Sequence, residues 1–89
     1  MATAYVRLPV GMKAADGSGE LECRGATVGE VIAQAIAVEP RMRPRIFRDD
    51  GRVYAGVFNN GRNINAFQGM DTPVNDGDKL SVLPPIAGG

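Results

Sequence analysis

The chain has 89 residues, and its 10 Lys plus Arg are balanced by 10 Asp plus Glu. That length allows one small domain, and a net charge of zero argues against a dedicated nucleic-acid binder, which would carry a basic excess. With no histidine and a single cysteine, Cys23, the chain lacks the base of a Ser/His/Asp hydrolase, an internal disulfide framework and any recognisable zinc-ligand pattern.

The opening residues Met1-Ala2-Thr3-Ala4-Tyr5-Val6 show no charged start followed by an apolar run, so no signal peptide is expected. No apolar stretch is long enough to span a bilayer, and the expected location is the cytoplasm, with no membrane partner. Ala4, Val6 and Leu8 alternate with Tyr5, Arg7 and Pro9, which is strand period. Residues 11–19 are rich in glycine and polar groups, with Asp16-Gly17 as a turn signal. Residues 20–24 alternate again. A connection of this length most simply joins two antiparallel neighbours.

Thr27-Val28-Gly29-Glu30 is a capping box. The Thr27 hydroxyl can accept from the Glu30 backbone N–H, and the Glu30 carboxylate can reach back to the Thr27 N–H. Val28, Val31, Ile32, Ala35, Ile36 and Val38 then follow at three- and four-residue spacing, one face of a helix. Pro40 ends it, because the residue before a proline resists the α region. Residues 41–52 read as irregular and charged, with Arg41, Arg43, Arg45, Arg48 and Arg52 offset by Asp49 and Asp50. They form either a basic docking patch or a solvated connector pinned to the core by Ile46 and Phe47.

Residues 53–58 read as a third strand. Asn60-Gly61 is a hairpin signal, since both residues tolerate positive φ, and residues 62–65 would be a short fourth strand. If Ala55 and Val57 face the helix, Tyr54 and Phe58 face away. An outward Phe58 suits a docking surface, or it is covered by a local loop. Asn59 stands where an inward apolar residue is expected, which suggests an early end to this strand. Asp76-Gly77-Asp78 gives a last turn, with both aspartates as turn formers. Cys23 alternates with Leu21 and reads as a small core residue.

Lys79-Leu80-Ser81-Val82-Leu83 is the final strand. Pro84-Pro85 stiffens the exit from it, since each ring fixes φ and supplies no N–H. Gly88-Gly89 then forms a thin, pliable segment able to enter a narrow tunnel. The chain therefore divides into a folded body, 1–83, and a C-terminal tail, 84–89. Two strands, a helix crossover and a return to the sheet place the final strand parallel to the first, in an α+β arrangement with a mixed sheet of four to five strands and one main helix on one face.

This order of elements resembles the β-grasp, or ubiquitin-like, fold. The run from Asp76 through Leu83, Pro84-Pro85 and Gly88-Gly89 resembles the end of the ThiS/MoaD family of sulfur carriers, and Thr27 to Ile32 and Asn60-Gly61 resemble that family's helix start and hairpin. The connector is longer than in compact thiamin-type carriers and is similar to those of the molybdopterin-synthase small subunit and of carriers feeding cysteine biosynthesis. The resemblance implies a chain that is not itself an enzyme and binds no cofactor or metal. It implies two partners: an adenylyltransferase similar to the ubiquitin-activating enzymes, which uses ATP, and a sulfur-accepting synthase. Gly89 would carry the reactive carboxylate and become a thiocarboxylate, Gly88 would allow close approach of the enzyme, and Ala87, Ile86 and Phe58 would contact the partner. A protein modifier conjugated through Gly89, or a plain interaction module whose tail plugs a partner, would carry the same ending.

Overall fold

In a computed structural model, residues 1–9, 11–12, 17–53 and 55–83 are described. They build a sheet in the order β2-β1-β5-β3-β4. Strand β1 (Ala2–Arg7) pairs antiparallel with β2 (Glu20–Gly25) from Ala2↔Gly25 to Arg7↔Glu20. Strand β5 (Lys79–Leu83) lies between β1 and β3 (Gly56–Asn59). It is parallel to the first, at Tyr5↔Lys79 and Val6↔Leu80, and antiparallel to the second, from Gly56↔Leu83 to Asn59↔Leu80. The last strand in sequence is thus central in space, as the β-grasp resemblance implies.

The inward residues of these strands, Ala4, Val6, Leu21, Cys23, Val57 and Leu80, bury against helix α1 (Val28–Val38). The helix contributes Val28, Val31, Ile32 and Ala35 to this core, the face its spacing predicts. Val38 departs from it and is 63% exposed, because the chain turns away at Glu39 before Pro40. The capping box is also altered in one detail. Thr27 Oγ1 accepts from the Glu30 N–H at 3.3 Å, but the Glu30 carboxylate takes the Ala26 N–H at 3.0 Å rather than that of Thr27. The chain before the helix is already committed elsewhere: Thr27 bridges Pro73, and the Val28 N–H donates to the Thr72 carbonyl at 2.9 Å.

The connector is more ordered than its composition predicts. Pro40–Met42 forms a 3₁₀ turn that runs into a short helix, α2 (Arg43–Ile46). Proline suits the first turn of a helix, where its missing N–H has no intrahelical partner to lose. Met42 and Ile46, one helical turn apart, are both fully buried. Phe47 is only partly buried and lies under the Arg43 guanidinium, 5.7 Å from its ring centroid.

Strand β3 begins later than residues 53–58 suggest and runs on through Asn59. Val53 instead bridges Phe47 across a small turn closed by the Arg48 N–H on the Arg52 carbonyl at 2.7 Å. Asn59 keeps its ladder place because its side chain finds a carboxylate instead of the core. Strand β4 is only Arg62–Asn63, because Asn63 accepts from the Asn65 N–H at 2.9 Å and starts a 3₁₀ turn, Ile64–Ala66, that buries Ile64. Tyr54 lies outside the described residues.

Candidate functional site

Gly89, Gly88, Ala87 and Ile86, the residues expected to carry the chemistry and its nearest contacts, lie outside the described residues. The structure does describe the strand that leads into them and the surface around its end. Leu83, the last residue of β5, stands opposite Gly56 of β3. Because side chains alternate along a strand, Leu83 and Ser81 share the outer face of the sheet with Phe58 and Gly56, away from α1. Phe58 is half-buried and Leu83 is 52% exposed. A Cβ built on Gly56 would stand 3.0 Å from the Phe58 ring, so the missing side chain lets the ring lie along its own strand towards Leu83. The outward orientation read from sequence for Phe58 therefore holds. Phe58 and Leu83 are thus apolar residues on one face beside the last described residues of β5.

The opposite end of β5 is held by a polar network. The Asp78 side chain is buried and accepts from the Asn75 N–H at 2.9 Å, Asn59 Nδ2 at 3.0 Å and Asn60 Nδ2 at 3.0 Å. Burial acts to raise its carboxyl pKa, but these three donors outweigh burial and hold it below its ordinary value. Asn60 in turn accepts the Lys79 N–H through Oδ1 at 3.0 Å, and donates its own N–H to the Lys79 carbonyl at 2.8 Å. Asn60 has φ 53° and Gly61 φ 83°, the left-handed pair that a tight hairpin needs. Asp76 accepts the Thr3 N–H at 2.8 Å, and the Tyr5 N–H donates to the Asp78 carbonyl at 2.8 Å. The Asp76-Gly77-Asp78 turn thus ties β1 and the β3–β4 hairpin to the start of β5. The sequence showed the two aspartates as turn formers but not Asn59 and Asn60 as the side-chain partners of Asp78. The available signal was a polar side chain at an inward strand position just before a hairpin turn.

Cys23 is fully buried, and its thiol is pushed up first by that burial and then by Glu22. A neutral, enclosed thiol packs as a small apolar group and is a poor nucleophile. Among the described residues, no group of three or more His, Cys, Asp or Glu is placed to hold a metal ion, and no helix is long and apolar enough to cross a membrane.

Three likenesses to known proteins accord with this geometry. A protein of Archaeoglobus fulgidus described as a candidate sulfur carrier is 33% identical over 86 residues, covering 94% of this chain and 96% of its own length. Small archaeal modifier protein 3 of Haloferax volcanii is 41% identical over 66 residues, covering 72% of this chain and 71% of its own. The solved Amycolatopsis orientalis BexX/CysO complex contains a chain that superposes with a TM-score of 0.76 at 27% identity, covering 97% of this chain and 99% of that one. The fold is a β-grasp, and these relatives are named as a sulfur carrier and a small archaeal modifier. The ThiS family model matches residues 6–89, which takes in β2 to β5, the helix and the glycine pair together, and the chain belongs to that family.

Proposed function

We propose that this chain carries sulfur on its Gly89 carboxylate. A carboxylate is a poor electrophile. A partner adenylyltransferase would join it to AMP with release of pyrophosphate from ATP, and a sulfur nucleophile would then displace AMP to leave a thiocarboxylate. That sulfur is itself nucleophilic and would pass to the substrate of a sulfur-accepting synthase. The observation that carries this reading is the placement of β5. A strand paired on both sides, clamped at its start by Asp78, hands its final residue to a Pro-Pro spacer and a glycine pair. The body supplies a fixed root, and the partner supplies the catalysis.

In this scheme Gly88 lets the enzyme's backbone approach closely, Ala87 and Ile86 fill small apolar contacts, and Phe58 anchors the docking face. Incubation with an activating enzyme, ATP and a sulfide source should raise the intact mass by one oxygen-for-sulfur exchange, and deletion of Gly89 should abolish that change. An unchanged mass with every adenylyltransferase of the source genome would refute the reading. The likeness to small archaeal modifier protein 3 favours a second reading, conjugation to proteins through Gly89. It predicts higher-mass conjugates on denaturing gels that disappear with the same deletion.

A further inference from the structure

The parallel pairing of β1 with β5 stops at Val6↔Leu80. Beyond it the strand ends enclose a groove of about 370 Å³ whose walls include Leu8, Pro9, Val82 and Leu83, with Arg7 and Arg45 at its sides. Proline has no N–H to continue the ladder, and the Leu8 N–H is already spent on the Gly19 carbonyl at 2.8 Å. The groove thus opens beside the last described residues of β5.

Its rim is cationic. Arg7 and Arg45 are exposed, and neither makes an ion pair among the described residues. Arg41 is different: its guanidinium is held by Glu39 at 2.7 and 2.8 Å. Arg52 faces Asp50 at 3.8 Å. Charge is also unevenly distributed along β5. Between residues 39 and 55, arginines outnumber carboxylates, whereas residues 68–78 at the other end hold Asp71, Asp76 and Asp78 and no cation. Lys79 and Arg62 also stand near the start of β5, so the distinction of Arg7 and Arg45 is their lack of an ion-pair partner beside the last described residues of β5.

Resting on the sulfur-carrier reading, we propose that Arg7 and Arg45 form a collar that docks carboxylates at the mouth of the activating enzyme's active site, with an apolar enzyme side chain seated in the groove between them. Guanidinium is the cation suited to this work. It is weakly hydrated, always charged and pairs with carboxylates through two parallel hydrogen bonds. An unpaired arginine gives up no internal partner on docking. Two unpaired cations beside the groove also act on encounter more than on the chemical step.

The test uses the full chain and the adenylyltransferase of the same genome, with pyrophosphate release as the readout. The Arg7→Glu/Arg45→Glu double variant should raise the KM for carrier on the order of tenfold with kcat unchanged. Wild-type KM should climb with added NaCl, and that of the double variant should stay nearly flat. Arg62→Glu, an exposed reversal at the far end of the sheet, should behave as wild type, and urea midpoints should show all variants folded. An unmoved KM in the double variant, or an equal effect from Arg62→Glu, would overturn the collar while leaving sulfur carriage standing. A salt-dependent self-association lost in the double variant, with KM unmoved, would assign the groove to a second copy and also overturn it. Wild-type chain that is neither bound nor adenylated would remove the sulfur-carrier reading itself, and the collar with it.

Discussion

Replacing Asp78 tests whether the clamp at the start of β5 holds the strand. Its carboxylate takes three donors, from Asn75, Asn59 and Asn60, and a hydrogen bond to a charged group contributes about 1.5–3 kcal/mol. Asn60 and Asn75 are exposed and recover water when the carboxylate is removed, but Asn59 is half-buried, and its Oδ1 is enclosed without a partner among the described residues. The cost of Asp78→Ala is therefore dominated by Asn59, about 2–3 kcal/mol rather than the sum of three bonds. Asp78→Asn keeps the shape and one acceptor but points an amide at donors, for about 1–2 kcal/mol. A domain of this length has roughly 5–13 kcal/mol in total, so both losses are readable in urea. The pH dependence separates charge from shape. The native carboxyl sits below its ordinary 3.8, so its contribution is complete above that value and fades as pH falls through the lower native-state value. Urea midpoints of wild type and Asp78→Asn should differ clearly at pH 7 and converge below pH 3.8. Coincident midpoints at pH 7, or a gap that persists in acid, would refute the clamp.

Other substitutions probe the remaining supports. Gly25→Ala would place a Cβ 2.9 Å from Glu30 Cβ and 3.0 Å from the Val31 backbone nitrogen. It should cost about 1–3 kcal/mol in urea unfolding, because a helix start cannot move as a side-chain tip can. Thr27→Ala, which removes the N-cap acceptor of α1, should cost about 1 kcal/mol by the same measurement. Met42→Ala should cost about 2–5 kcal/mol, whereas truncating the exposed Val38 should leave the midpoint almost unchanged. If Phe58 anchors the docking face as proposed, Phe58→Ala should leave the chain folded by circular dichroism and raise the KM for the activating enzyme, since the ring points away from α1 and the core.

The parts of the fold that follow a period were legible in the sequence. Alternation placed Ala4, Val6, Leu21 and Cys23 in the core, and three- and four-residue spacing placed Val31, Ile32 and Ala35 against them. The misleading residues were those whose partners are distant in sequence. Asn59 looked like the end of a strand because its partner is Asp78, 19 residues on. Val53 looked like the beginning of one, but its pairing is spent on Phe47. Residues 41–52 looked irregular because their arginines hide an apolar pair, Met42 and Ile46, at helical spacing. The outward orientation of Phe58 was legible by parity along its strand. Arg7 and Arg45 were not legible as a pair, because only the parting of β1 from β5 brings them to one groove.

The position of the final strand explains why such a small body suffices for its proposed task. A reactive end on an edge strand would fray, since an edge is paired on one side only and small domains have little stability to spare. Here the ladder with β3 runs to Leu83, so the root is paired up to the last described residue. On the β1 side the pairing ends at Leu80 instead, which leaves one flank of that root open beside Arg7. Pairing on one flank fixes direction, while the open flank provides a surface that a partner can occupy without unzipping the sheet. Extending the β1–β5 ladder by three residues would secure the root more firmly and close the groove. The short parallel pairing is thus the feature that reconciles a fixed root with an accessible one.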